Sequence, residues 1–180
     1  MKRLTLLPLI ALAMAACSES ATSPGSLRAP QQPSMAVNGP NGAHLVTGTP
    51  TPSCTVGANG SVTCNSYEIA GVGNTNATAD LSATYSATVD CYNPGVNPNN
   101  PVESHTTTFT TTTSSGSLSP KNGRLTIPSL SVSPNAAPPQ VCPNPNWTPR
   151  IRGGSFTLES FTYTVTFAGY TTPFISITGP

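Results

Sequence analysis

The chain has 180 residues, only 7% of which are charged, and a formal net charge of +1 at pH 7. About a quarter of the residues of an average soluble protein are charged, so Thr and Ser here take surface positions that Lys and Glu usually hold. The chain lacks the basic character of nucleic-acid-binding proteins, and we expect no nucleic-acid partner. Its length is sufficient for one domain of ordinary size.

Residues 1–16 have the layout of an export signal peptide. Lys2 and Arg3 form a positively charged start, residues 4–14 are mostly apolar, and Ala15 and Ala16 provide small side chains at the processing site. The apolar run has about 11 residues, whereas a membrane-spanning helix needs about 20. The segment therefore predicts export rather than a transmembrane span.

The stretch MAAC, which ends at Cys17, resembles the lipobox of bacterial lipoproteins. In that family the signal peptide is removed directly before a cysteine that becomes lipid-modified. The resemblance implies lipid attachment at Cys17 and anchoring to the cell envelope. Ser18 resembles the residue found in lipoproteins sorted to an outer membrane, which implies a location at the outer membrane or cell surface. The alternative is an ordinary cleaved signal peptide followed by an incidental Cys17.

Residues 17–53 are rich in Pro, Ser, Gly and Ala and have no sustained apolar period. Such a segment cannot bury enough apolar surface to offset the entropy cost of ordering it. We therefore predict that the lipidated Cys17 begins a disordered tether, residues 17–53, which holds a folded head, residues 54–180, away from a membrane. His44 is interpreted as a solvated residue of this tether.

Four cysteines in the head predict two disulfide bonds, because an even number in an exported chain is typical of a disulfide framework. The stretch CTVGANGSVTC predicts a hairpin that places Cys54 directly opposite Cys64. Cys91 and Cys142 then form the second pair. A zinc site built from the four thiolates is a weaker alternative, since the chain has no CxxC spacing and an oxidising compartment favours disulfides.

Small or apolar side chains alternate with Thr, Ser and Asp from Ala77 to Cys91. This period of two is typical of a half-buried β-strand with the odd-numbered residues inward. The segment is much longer than the usual strand of about 5 to 6 residues, so we expect a β-bulge or a change of sheet within it. The same alternation later in the chain places inward Phe161, Tyr163, Val165 and Phe167.

These patterns predict an all-β head, a disulfide-stapled antiparallel β-sandwich of immunoglobulin-like size preceded by the disordered tether. An Asn-Gly turn at Asn122 predicts a hairpin between Leu118 and residues 124–132. Pro, Asn and Gly predict long surface loops at residues 92–101 and 133–154. The uncharged Thr tract at residues 106–113 would be prone to pair with another chain at a sheet edge, so we expect it inside a sheet; the alternative is an edge strand that pairs with a partner strand or in an assembly.

Few titratable side chains are available for catalysis. Glu103 and His105 are two residues apart on a strand and point to the same side, where they would suit a metal ion or a base with its orienting partner. We favour a solvated edge-strand face, because no second His or acidic cluster lies nearby in the sequence. We expect no catalytic residues, no metal and no cofactor. The alternative function is an envelope hydrolase or metal-dependent enzyme that uses His105 with nearby acids.

Tyr92, Trp147 and Tyr170 fall in or beside predicted loops, where exposed aromatic rings can stack on sugar rings. The competing interpretation of Trp147 is that its ring covers the nearby disulfide. Arg150 and Arg152 either bind an anion or only solvate a loop edge. The sequence favours a non-catalytic head that binds an extracellular protein or glycan, or serves as a surface building block, on a protein attached to the membrane by its lipid anchor.

Overall fold

The computed structural model describes residues 33–35, 38–95, 97–134, 140–154 and 156–180. The predicted export signal, Cys17 and the first part of the predicted tether lie outside these ranges. Within them, no helix is long and apolar enough to cross a membrane.

The described residues form β-strands and one short 3₁₀ turn, Arg152–Gly154. All paired strands are antiparallel. The all-β, antiparallel prediction is confirmed. In chain order the strands are β1 (Ser34–Met35), β2 (His44–Leu45), β3 (Cys54–Val56), β4 (Val62–Cys64), β5 (Tyr67–Ala70), β6 (Ala77–Asn93), β7 (Asn97–Leu118), β8 (Arg124–Ile127), β9 (Leu130–Val132), β10 (Thr148–Ile151), β11 (Thr157–Phe167) and β12 (Ile175–Gly179).

Two layers make up the sandwich. The main sheet has the order β1-β12-β11-β6-β10, and β7 also pairs with β6. Because β7 follows β6 along its whole length, β11 and β10 share the opposite edge of β6, one after the other. The second layer consists of two three-stranded sheets, β2-β5-β8 and β3-β4-β9. Apolar residues of both layers form one core between them.

Strand β6 confirms the alternation predicted from the sequence. Every odd-numbered residue from Ala77 to Cys91 is buried, whereas the even-numbered residues from Thr78 to Thr88 are half-buried or exposed. Its pairing with β7 is irregular between Thr78 and Asp80 and again after Cys91, which is the bulging expected of so long a strand. The 17 residues of β6 therefore form the backbone of the main sheet, with one face toward the core and one toward solvent.

Strand β11 supplies three of the four largest fully buried side chains. Phe161, Tyr163, Val165 and Phe167 are all buried, as predicted. The hydroxyl of Tyr163 lies 2.9 Å from that of Tyr67 on β5 and forms a buried hydrogen bond between the two layers. Burial raises the pKa of both phenols, so both stay protonated. Each hydroxyl is the hydrogen-bond partner of the other, which avoids the cost of an unpaired polar group in the core.

Both predicted disulfides are present. Cys54 is bonded to Cys64 and Cys91 to Cys142. The first joins β3 to β4 at directly opposed positions, in the register that the hairpin pattern predicts. The second ties the last inward residue of β6 to the segment that precedes β10, across a sequence separation of 51 residues.

Strand β7 lies at an edge of the main sheet, so the expectation that the Thr tract lies inside a sheet is wrong. Among the described residues, β7 pairs with β6 and with no further strand. β6 already has β11 and β10 on its other side, which leaves only this outermost place for β7. Pro98 and Pro101 near the start of β7 suit an edge, because Pro cannot donate to a second neighbouring strand.

The Asn-Gly turn forms as predicted, with φ of 51° at Asn122 and 71° at Gly123. It does not make a hairpin of β7 and β8, because β8 pairs with β5 in the second layer. The chain thus leaves the main sheet after Leu118. Pro120 follows closely, and its missing N–H prevents it from donating to a continued ladder.

The predicted long loops are shorter than expected. β6 extends to Asn93 and β7 begins at Asn97, so most of residues 92–101 are strand. Strand β10 likewise interrupts the second predicted loop, at Thr148–Ile151. In both places, pairing with β6 outweighs the local turn preference of Pro and Asn.

The described end of the predicted tether belongs to the fold. β1 pairs with β12, and β2 pairs with β5. His44 is exposed, as expected, but it lies on β2, and Leu45 beside it packs against the core. The tether predicted up to Ser53 is therefore too long at its carboxyl end. Strands of two residues carry too little periodicity to be recognised in a sequence.

Candidate functional site on the outer face of the main sheet

The outer face of the main sheet, on the side away from the core, is covered by Thr and Ser. The strand register places these side chains opposite one another: Ser82 on β6 lies between Thr112 on β7 and Thr162 on β11. We call this surface the hydroxyl face. It comprises Thr78, Ser82, Thr84, Ser86, Thr88, Thr106, Thr108, Thr110, Thr112, Ser114, Ser117, Thr157, Ser160, Thr162, Thr164, Thr166, Ser176 and Thr178.

Hydroxyl groups on this face form rows about 4.8 Å apart across the strands and about 6.7 Å apart along them. Neighbouring rows contact each other, as the hydroxyls of Thr84 and Thr110 do at 3.1 Å. Two acids lie among them: Asp80 is opposite Thr164, and Glu159 accepts a hydrogen bond from Ser86. The face thus offers many uncharged donors and acceptors and few charges, which suits a neutral polar ligand better than an ion.

One end of the hydroxyl face carries an exposed aromatic ring. The side chain of Tyr170 is 38% exposed. A shallow depression beside it is lined by hydroxyl, amide and aromatic side chains. Within that lining, the amide of Asn76 donates to the hydroxyl of Ser117 at 3.4 Å. We define the Tyr170 site as Asn76, Thr78, Ser117, Thr166 and Tyr170.

A tight turn after β11 presents the Tyr170 ring. The N–H of Tyr170 donates to the carbonyl of Phe167 at 3.0 Å. Gly169 in this turn has φ 86°, a conformation that favours glycine. The Tyr170 ring also packs edge-on against Phe167, with ring centres 6.4 Å apart. The ring is therefore supported on one side by the core and open on the other.

Tyr92 and Trp147, the other two candidate binding residues, lie at the opposite end of β6. Tyr92 pairs with Thr148, the residue after Trp147, and the guanidinium of Arg150 lies 4.6 Å from the centre of the Tyr92 ring. Both aromatic side chains are half-buried. About 15 residues of strand, or about 50 Å, separate this end from Tyr170. The structure therefore does not bring the three aromatic residues together in one platform.

An ion-paired cluster lies near Tyr92. Asp90 is only 6% exposed, and Arg152 donates to its carboxylate from Nε at 3.1 Å and from Nη2 at 2.7 Å. Ser104 on β7 donates to the same carboxylate at 2.6 Å. The hydrogen bonds from Arg152, and then that from Ser104, lower the pKa of Asp90, although burial opposes them. An anion bound by Arg152 would compete with this existing carboxylate partner.

Glu103 and His105 point to the same side of β7, as predicted, but that side faces inward. Glu103 lies opposite Cys91 and His105 opposite Val89, and both side chains are half-buried. The edge-strand position that the favoured interpretation requires is confirmed, and the side chains of His105 and Glu103 are still 41% and 36% exposed although they lie on the inward side of β7. His105 Nε2 and Glu103 Oε1 are 3.2 Å apart, which makes an ion pair when the imidazole is protonated, although their orientation does not meet hydrogen-bond geometry.

Cys91 joins these two residues in a group whose potential metal-ligand atoms lie within 4.8 Å of one another. The sulfur of Cys91 is bonded to Cys142, so it is not a thiolate ligand. Glu103 and His105 remain, which is fewer than the three protein ligands of a typical catalytic zinc site. The geometry therefore gives the metal-enzyme alternative little support.

Sequence reasoning missed Asn76 and Ser117 as neighbours of Tyr170, and Asp90 as the partner of Arg152. Ser117 reaches the site because it lies opposite Thr78 in the β6–β7 register. The even numbering of outward residues on β6 was a usable signal, but it identifies neighbours only after the strand order is known.

No protein-family model, no curated protein and no solved structure matches the chain. The functional conclusion therefore depends on the geometry of the hydroxyl face and on the sequence features of the amino-terminal segment.

Proposed function

We propose that this protein is a cell-envelope lipoprotein whose non-catalytic β-sandwich head binds a neutral glycan outside the cytoplasm. The observation that carries the proposal is the Tyr170 site. It combines an exposed ring with amide and hydroxyl side chains around a depression, at the end of a surface with few charges. Aromatic rings stack on the apolar faces of sugars, while amides and hydroxyls exchange hydrogen bonds with sugar hydroxyls.

The two disulfides support a location in an oxidising compartment outside the cytoplasm. The lipobox resemblance at Cys17 supports attachment to a membrane there. Burial of an acyl chain contributes about 0.8 kcal/mol per CH₂ group, and two or more chains anchor a protein durably. A glycan-binding head on such an anchor would attach the membrane to polysaccharide of the envelope or of the surroundings.

The anchor is tested by cell fractionation. We expect Cys17→Ser to move the exported protein from the membrane fraction to the soluble fraction, because the substitution removes the acylated thiol. Ser18→Ala is the matched control and should stay with the membrane. A Cys17→Ser protein that remains in the membrane fraction would contradict lipid attachment.

The binding site is tested by cosedimentation of the full chain with insoluble neutral polysaccharides. The expected result is saturable binding that Tyr170→Ala weakens about tenfold, a loss of about 1.4 kcal/mol, whereas Tyr170→Phe, which keeps the ring, binds almost normally. Binding should change little between low and high salt, because a neutral ligand makes no charge pairs to screen.

Val102→Ala is the matched control for these variants. Val102 is 54% exposed and, like Tyr170, is a large apolar side chain at the surface, but it lies at the opposite end of the sheet. The Val102→Ala variant should bind the polysaccharide as tightly as the unaltered chain does. Equal weakening by Val102→Ala and Tyr170→Ala, or no binding to any neutral polysaccharide, would contradict the proposed function.

The hydrolase or metal-dependent enzyme is the weaker proposal, and its one supporting observation is the contact of His105 with Glu103. It predicts zinc binding by the disulfide-bonded protein and loss of that binding in His105→Ala. Isothermal titration with Zn²⁺ measures this directly. The absence of a zinc-binding heat signal would contradict the metal-dependent enzyme.

A further inference from the structure

The Thr tract of β7, residues 106–113, has an open backbone edge. Strand β6 occupies one edge of the tract, and no other strand within the described ranges pairs with it. The backbone N–H and C=O groups on its free side can therefore form hydrogen bonds with an additional strand. The tract contains no Pro and no charged residue, which are the usual features that prevent edges from pairing.

One buried side chain of the tract lacks a hydrogen-bond partner within the single chain. The hydroxyl oxygen of Thr111 is buried and has no hydrogen-bond partner. It belongs to the inward-facing residues of β7, and its cross-strand neighbour on β6 is Ala83, which has no polar side chain. A buried hydroxyl without a partner is unfavourable, so a partner on the open side would stabilise it.

We infer that the Thr tract pairs antiparallel with the Thr tract of a second copy of this chain, about a twofold axis perpendicular to the sheet. Side chains directly opposite each other in an antiparallel pair lie on the same face, so inward residues must meet inward residues. With Phe109 on the axis, Thr111 lies opposite Thr107 of the second copy, whose hydroxyl supplies the missing partner.

The tract is self-complementary in this register. Thr108 lies opposite Thr110 of the second copy, a pair of the kind that Thr110 already makes with Thr84 on β6. The carboxylate nearest the tract also meets no like charge, because Glu103 lies opposite Ser115 of the second copy. A twofold interface uses the same surface on both copies, and this tract presents hydroxyl to hydroxyl without repulsion.

Pairing at this edge joins the two main sheets into one and makes the two hydroxyl faces continuous. It places two Tyr170 sites on the same side of one particle. A polysaccharide that spans both sites would then bind more tightly than it binds one, through effective concentration. The dimer itself does not depend on the glycan or on the lipid anchor.

Cross-linking of the full chain tests the interface, in a Cys17→Ser background that removes the cysteine outside the two disulfides. Thr110→Cys should give a covalent dimer with a short thiol-specific cross-linker, because the two copies of position 110 are diagonal neighbours across the new strand pair, about 8 Å apart. Thr162→Cys is the matched control: it is exposed on the same face, but its two copies are about 30 Å apart, five strand spacings across the sheet and about six residues along it. It should form no covalent dimer with the same reagent, although it still pairs non-covalently.

Sedimentation equilibrium provides the second measurement. The unaltered sequence in this background should have twice the chain mass, Thr110→Lys should be monomeric because like charges then meet at the interface, and Thr162→Lys should stay dimeric. Unchanged thermal unfolding of the two Lys variants shows that both are folded. A monomeric parent chain, or equal behaviour of positions 110 and 162 in either experiment, overturns the inference. Since no lipid or glycan is present, these outcomes are independent of the proposed function.

Discussion

The two faces of the main sheet differ more than strand alternation requires. The inner face combines small, aliphatic and aromatic side chains, as residues that fill a core must, whereas the outer face repeats Thr and Ser across four strands. An outer face needs only polarity for solubility, and Lys and Glu ordinarily provide it. Packing explains the variety of the inner face, but nothing in packing explains the uniformity of the outer one. The proposed glycan binding uses this uniform outer face.

Adjacent residues of β11 make the sharpest test of this difference. Phe161 is 2% exposed on the inner face, and its ring leaves no room for a Cβ at Gly179 beside it. We expect Phe161→Ala to lower the free energy of unfolding by about 3–5 kcal/mol, through lost burial and an unfilled cavity. Thr162→Ala on the outer face should cost less than about 1 kcal/mol. Urea unfolding of both variants measures the difference, and comparable losses would contradict the assignment of the two faces.

The two disulfides differ in the length of the loop that each closes in the unfolded chain. Replacing Cys91 and Cys142 together by Ala should cost about 4 kcal/mol, because their bond closes the longer loop of the unfolded chain. Replacing Cys54 and Cys64 should cost about 3 kcal/mol, for a separation of 10 residues. Urea unfolding midpoints of the two double variants test the order. The reverse order would show that loop closure does not dominate.

The hydrogen bond between Tyr67 and Tyr163 inside the core predicts smaller, non-additive changes in the free energy of unfolding. Tyr67→Phe leaves the buried hydroxyl of Tyr163 without its partner and should cost about 1–2 kcal/mol. The double variant Tyr67→Phe, Tyr163→Phe should recover most of that loss, because neither hydroxyl then remains to be satisfied. Additive losses in the double-mutant cycle would argue against a direct bond between the two hydroxyls.

The smallest effect is expected at Asp90, whose carboxylate is ion-paired with Arg152. Its pKa is lowered in the folded protein, so its contribution to stability is present above the unfolded pKa of about 3.9 and is lost as the pH falls through the folded pKa. Asp90→Asn should therefore be less stable than the unaltered chain at pH 7, with a difference that shrinks below pH 4. Urea midpoints at several pH values measure this. The exposed Asp80→Asn is the control and should show a smaller difference at pH 7.

Most of the fold was predictable because its signals are local. The alternation in β6 fixes which residues face the core, and the spacing within CTVGANGSVTC fixes the Cys54–Cys64 bond and hence Cys91–Cys142. The order of strands has no such local signal. The Thr tract has the same composition whether it lies inside a sheet or at its edge, and only the pairing of β6 with β11 and β10 decides the matter.

The site was less predictable for the same reason. The sequence places Tyr170 as an aromatic residue beside a loop, but Asn76, just before β6, and Ser117, on β7, reach it from segments far apart in the sequence. Arg152 and Asp90 are separated by 62 residues, and their ion pair requires β10 and the 3₁₀ turn to lie alongside β6. A sequence shows which side chains are available, whereas the register determines which of them meet.

The proposed function of this head requires export and anchoring, and one measurement tests both together. The protein is purified without reduction from the membranes of its own cells and analysed by intact mass and peptide mapping. We predict an acylated amino terminus at Cys17 with bonds Cys54–Cys64 and Cys91–Cys142. An unmodified chain that begins after Cys17 would contradict the anchored head and would indicate a protein released from the cell.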